Sequence, residues 1–117
     1  MSSPRREYVV EAYRDWLQFT KNWATWAFEP GASRDEFNRQ LHDRKSALDL
    51  LTNEEVRNAV QNYIDNLDLG LAAIDQTYDR AKDPWEQRID IALAFAWAMR
   101  PFRGAMVEAM RKDIGPF

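Results

Sequence analysis

Apolar residues recur along this chain at three- and four-residue spacing in four stretches, which predicts four amphipathic helices. The first stretch runs over 4–28 and opens with Pro4, whose missing amide proton costs nothing in a first helical turn. Tyr8, Ala12, Trp16, Phe19, Trp23 and Trp26 share one side, flanked by Val9, Tyr13, Leu17, Ala24 and Ala27. Glu11, Arg14, Asp15, Gln18, Lys21, Asn22 and Thr25 occupy the other. The apolar arc is roughly 200° wide, enough to serve two neighbours.

Glu29-Pro30-Gly31-Ala32 ends this helix, and Ser33 opens the next, over 34–51. Glu36 stands where a capping box would turn its carboxylate back to the Ser33 amide. The stripe here is Phe37, Leu41, Leu48 and Leu51, with the lone histidine, His42, off it and expected in solvent. Thr52 or Asn53 caps a third helix, 54–82, which keeps its spacing through Val56, Val60, Tyr63, Leu67, Leu71, Ile74, Tyr78 and Ala81. Gly70 interrupts it at a cost of about 1 kcal/mol in propensity, which points to a close helix contact.

The fourth helix, 84–112, has Asp83 as its cap, Pro84 in its first turn and Glu86 completing the box. It contains the nine apolar residues Ile91–Met99. A helix that is apolar on every side calls for cover on every side, so this segment is expected to be the axis of the core, with three helices around it. It is too short to cross a bilayer, which takes about 20 such residues. Pro101 predicts a kink or break near Met99 or Arg100, and Gly115-Pro116 a stop.

Short joins between such helices predict an all-α fold, an antiparallel up-down four-helix bundle forming one domain over 1–117. The helices would be about 37, 28, 43 and 43 Å long. The third and fourth would then project about 15 Å past the second. The apolar tip so exposed, with Ile74, Tyr78, Trp85 and Ile89 as interaction residues, would be covered by a second copy or another protein, with Tyr78 and Trp85 as anchors.

Composition narrows the function classes. With no cysteine, neither a disulfide framework nor a thiolate metal site exists, and the start of the chain lacks the apolar segment of a signal peptide, so a cytoplasmic setting is expected. A net charge of -3 argues against nucleic-acid binding as the main role. Of the sixteen basic residues twelve are arginine, suited to stitching helices together through carboxylates.

No phosphate loop, His-Glu-x-x-His or nucleophile elbow occurs, and one histidine cannot supply a usual hydrolytic triad. No catalytic residue, cofactor or metal is therefore expected. Asp65, Asp68, Asp75 and Asp79 flank the third helix without the Glu-x-x-His partners of a di-metal bundle, and read as a solvated face. Arg100, Arg103 and Arg111 share a side of the last helix. They are candidate anion contacts, although pairing of Arg100 and Arg103 with acids on facing helices is the favoured reading. Trp16, Trp23, Trp26 and Trp97 are either core fillers or the walls of a ligand pocket.

The ending Met110-Arg111-Lys112-Asp113-Ile114-Gly115, together with Leu50-Leu51-Thr52-Asn53-Glu54-Glu55-Val56, resembles small uncharacterised helical-bundle proteins of bacteria and phages. That resemblance implies a compact helical module, often placed after a membrane-spanning segment that this sequence does not show, and it carries no activity or functional residue. The function expected is a non-catalytic protein–protein interaction module, self-associating or an accessory factor in a bacterial or phage system, without nucleic-acid or membrane contact. The alternative is a sensor for an apolar or aromatic small molecule between the helices.

Overall fold

The computed structural model describes residues 4–28, 33–77, 79, 82 and 85–117, without the side chain of Trp85. Five helical segments follow one another: α1 (Pro4–Lys21), α2 (Trp23–Phe28), α3 (Arg34–Leu51), α4 (Glu54–Thr77) and α5 (Trp85–Ile114). α1 and α2 are one rod broken at Asn22, so the molecule is an all-α four-helix bundle.

Its antiparallel order can be followed along the contacts. Arg44 of α3 pairs with Asp15 of α1 at 3.1 Å, while Arg5 donates to the Leu51 carbonyl. Against α5, Arg6 donates to the Ile114 carbonyl, Trp16 meets Met106 and Trp23 meets Phe95. Between α4 and α5, Gly70 meets Phe95 and Glu55 meets Lys112. In each pair one helix ascends as the other descends.

The caps are local chemistry. Ser33 accepts from the Glu36 amide at 3.1 Å, but the Glu36 carboxylate is taken by Arg39 and Gln40 instead of returning to the Ser33 amide. A charged guanidinium one turn along is the stronger partner. Asn53, not Thr52, caps α4, its side-chain oxygen accepting from the Val56 amide at 2.9 Å. Gly115 closes α5 with φ +84°, a left-handed position that a side chain would strain, and its amide bonds the Arg111 carbonyl. The expected cap at Asp83 and Pro84 lies outside the described residues.

Three expectations about the helices are corrected. The first helix does not run unbroken: buried Thr20 donates its hydroxyl to the Trp16 and Leu17 carbonyls, and the Asn22 amide reaches back only to Phe19. Such back-bonding competes with the regular ladder. Within α1 the buried side is Val9, Val10, Tyr13, Trp16, Phe19 and Thr20, so Tyr8 points outward, 68% exposed. The third helix stops at Thr77, with Asp79 and Lys82 outside it in a turn. Of the kink or break expected near Pro101 there is no break: the fourth runs on as one helix, and Trp97, whose carbonyl loses its amide partner there, and Pro101 both lie on the exposed side.

The core also sits elsewhere than expected. Its spine is α4, which buries Val56, Val60, Tyr63, Ile64, Leu67, Leu71 and Ile74. α5 packs on α4 and α1, and adds Met99, Met106, Ala109 and Met110 to the buried set. Ile91–Met99 is therefore not an all-round buried axis. It has neighbours on two sides and presents the third outward.

Candidate functional site

That outward side is the main surface feature. Leu93 is 65% and Trp97 71% exposed, Ile89 is 38% exposed one turn earlier, and Ala94, Ala96 and Ala98 are exposed beside them. Four-residue spacing stacks the three large side chains in one strip. The other large exposed apolar residues, Tyr8, Leu50 and Leu69, stand singly on three different helices and need no explanation.

Charge is arranged along the same strip. Glu86 precedes the apolar residues, Asp90 lies between Ile89 and Leu93, and Arg100 follows Trp97, all exposed. The Arg100 guanidinium lies 5.3 Å from the Trp97 ring centroid, a cation–π distance. Among the described residues, Asp90 and Arg100 make no ion pair.

The expected apolar tip does not take the form foreseen. Ile74 is only 5% exposed and belongs to the core, so it offers nothing to a partner. Arg34, at the start of α3, reaches Asp75 near the end of α4 at 2.8 Å, so the hairpin does not stand three turns clear of α3. Tyr78 and the side chain of Trp85 lie outside the described residues. Ile89 alone of the four is found exposed, as the first member of the α5 strip.

Beside the strip, where α1 gives way to α2, a cleft of about 410 Å3 opens between that break and α5. Thr20, Tyr63 and Trp23 form its inner surface, Leu93, Ala96 and Trp97 its α5 wall, and Lys21, Arg100 and Arg103 bring positive charge. Arg103 is half-buried; it donates to the Thr20 hydroxyl at 3.2 Å and to the Leu17 carbonyl at 3.0 Å. Burial pushes the Tyr63 phenol above its ordinary value against the pull of the Arg103 charge, so it remains a neutral donor.

The four candidate tryptophans do not surround one pocket. Trp16 is fully buried and donates its indole N–H to the Met106 sulfur at 3.1 Å. Trp26 packs on Phe37, its ring centroid 5.7 Å away. Only Trp23 and Trp97 border the same cleft. Packing decided this, because the rod breaks at Asn22 and α2 takes a new phase.

The three candidate anion-contact arginines do line one surface, an open groove of about 680 Å3 along α5 that includes Arg100, Arg103, Gly104 and Arg111. The expected pairing of Arg100 and Arg103 with acids is not made: Arg103 bonds neutral acceptors and Arg100 covers Trp97. Lys112, by contrast, pairs with Glu55 across the helix interface.

Sequence reasoning passed over Leu93, Asp90, Lys21, Thr20 and Tyr63. The one signal available for the cleft was Thr20, a hydroxyl within an otherwise apolar arc. His42 is exposed, as its place off the stripe implies. Among the described residues no cluster of His, Asp or Glu could hold a metal ion, and no helix is long and apolar enough to cross a membrane. No protein family, curated protein or solved structure matches this chain.

Proposed function

We propose that this protein is a non-catalytic interaction module that pairs with a second copy of itself through the outward strip of α5. The observation that carries the reading is the exposure of Leu93 and Trp97 one turn apart in the longest helix. Stacked side chains of this kind lose contact with water only when another surface covers them, and tryptophan is the residue most often found at the energetic centre of an interface.

A second copy fits the strip because the strip is complementary to itself. Two α5 helices laid antiparallel about a twofold axis near Phe95 set Leu93 of each against Trp97 of the other. The same register sets Asp90 against Arg100. Isologous pairing requires that kind of mutual match, and the exposed alanines let the helices approach closely. A cysteine-free chain suits the cytoplasm, and the C-terminal resemblance favours a bacterial or phage host.

Sedimentation of the full chain tests the reading. Wild type should be dimeric at tens of micromolar, and Leu93→Ala/Trp97→Ala monomeric with unchanged helical content. Asp90→Arg or Arg100→Asp alone should weaken the dimer, and the two together restore it. A wild type that stays monomeric at high micromolar concentration overturns the proposal.

A further inference from the structure

Most cations placed between helices here have an acid partner: Arg5 with Asp113, Arg34 with Asp75, Arg44 with Asp15 and Lys112 with Glu55. Lys21, Arg100 and Arg103 meet at the cleft between the α1–α2 break and α5, and among the described residues none of them makes an ion pair. Acids outnumber bases in this chain, 19 to 16, so the imbalance is local and not a shortage of carboxylates. A half-buried guanidinium without a counter-charge is costly unless a ligand supplies one or water solvates it.

We propose that this cleft binds a small organic carboxylate with a flat apolar body. Arg103 carries five N–H donors, and the bonds to Thr20 and Leu17 hold the guanidinium in place while leaving others for an incoming anion. Those two anchors preorganise the group, which lowers the ordering cost of binding. A carboxylate is the anion whose planar, two-oxygen edge matches a guanidinium bidentately. Lys21 and Arg100 strengthen the positive field, and the Tyr63 phenol lies beside Thr20 and Arg103 as a further donor.

The rest of the cleft is apolar. Trp23 is held edge-on against Phe95, centroids 4.6 Å apart at 88°, and Trp97, Leu93 and Ala96 line the α5 wall. Rings on both sides favour a flat ligand, and about 410 Å3 lies within the range of small-molecule sites. Leu93, Trp97 and Arg100 border both the cleft and the outward strip, but Lys21 and Arg103 lie off the strip, so substituting them tests the cleft without altering the α5 pairing residues.

Calorimetric titration of the full chain with 2-naphthoate, its neutral analogue 2-naphthamide and acetate separates the two halves of the site. 2-Naphthoate should bind one per chain, at least about tenfold tighter than either of the others, the loss expected when a charged hydrogen bond or the apolar body is removed. Arg103→Gln should weaken 2-naphthoate by at least about tenfold and leave 2-naphthamide unchanged. Arg103 also ties α1 to α5, so Lys21→Gln, at the rim and off the outward strip, supplies the same test without touching that tie or the α5 pairing. Equal binding of acid and amide, no binding of 2-naphthoate at millimolar concentration, or full affinity in the rim variant overturns the proposal.

Discussion

The ring of Phe95 fills the space that a side chain at Gly70 would need. A Cβ placed on Gly70 would stand 1.8 Å from the nearest ring carbon, and the ring is held from the other side by Trp23. This contact fixes how closely α4 and α5 approach, and so which side of α5 is turned to solvent.

Gly70→Ala should therefore destabilise the protein although alanine is the better helix former. The gain of about 1 kcal/mol in propensity is outweighed by displacement of the wedged ring, for a net loss of about 1–2 kcal/mol in urea unfolding. Adding Phe95→Leu should recover most of that loss. Additive effects of the two substitutions would show that the contact is not the cause.

Two neighbouring aromatic residues should behave in opposite ways. Phe95→Ala empties a contact inside the bundle and should cost about 3 kcal/mol. Trp97→Ala removes an exposed ring and should change monomer stability by no more than about 0.5 kcal/mol, while reducing self-association. Unfolding curves at low protein concentration, with sedimentation at high concentration, read the two effects apart.

Asp113 ties three elements together: it accepts from the Tyr13 hydroxyl at 2.8 Å and the Asn53 side chain at 3.3 Å, and it faces Arg5 at 3.7 Å. Asp113→Ala leaves a part-buried phenol without its acceptor and should cost about 2 kcal/mol. Thermal unfolding should show the loss, with Asp113→Asn milder because one acceptor oxygen remains.

The same bond gives an alkaline pH dependence. Burial, the hydrogen bond to Asp113 and that carboxylate's charge push the Tyr13 phenol well above its ordinary 10.0, against the pull of Arg5. The folded state thus holds this proton more tightly than the unfolded one. Its contribution is complete below pH 10.0 and is lost as pH rises towards the folded-state value. The stability gap between wild type and Tyr13→Phe should narrow above pH 10.0; a constant gap would exclude this linkage.

At the acid end, hydrogen bonds from Arg39 and Gln40 hold the Glu36 carboxyl down to about 2 from an ordinary 4.5. Its support for the start of α3 is present above pH 4.5 and is lost as pH falls towards 2. Amide protection in the first turn of α3, taken relative to the intrinsic exchange rate at each pH, should fall over that window in wild type, and Glu36→Gln should flatten the change.

The sequence alone determined what depends on neighbours along the chain. The Ser33 cap, a cap at Thr52 or Asn53, the bounds of the second helix at 34–51, the stop at Gly115 and the buried stripe of α4 were legible because each rests on a side chain meeting backbone within a turn, or on polar residues marking the opposite face. The close contact foreseen at Gly70 was legible as well, though not its partner Phe95. Only the tertiary structure decided the rest. Thr20 breaks the first rod because it is buried beside Arg103, and Ile74 is core because the helices around it cover it. Ile91–Met99 has no polar face, so its own period points nowhere. Which of its residues are buried follows from where α1 and α4 lie, and that left Leu93 and Trp97 facing solvent and the basic cleft beside them.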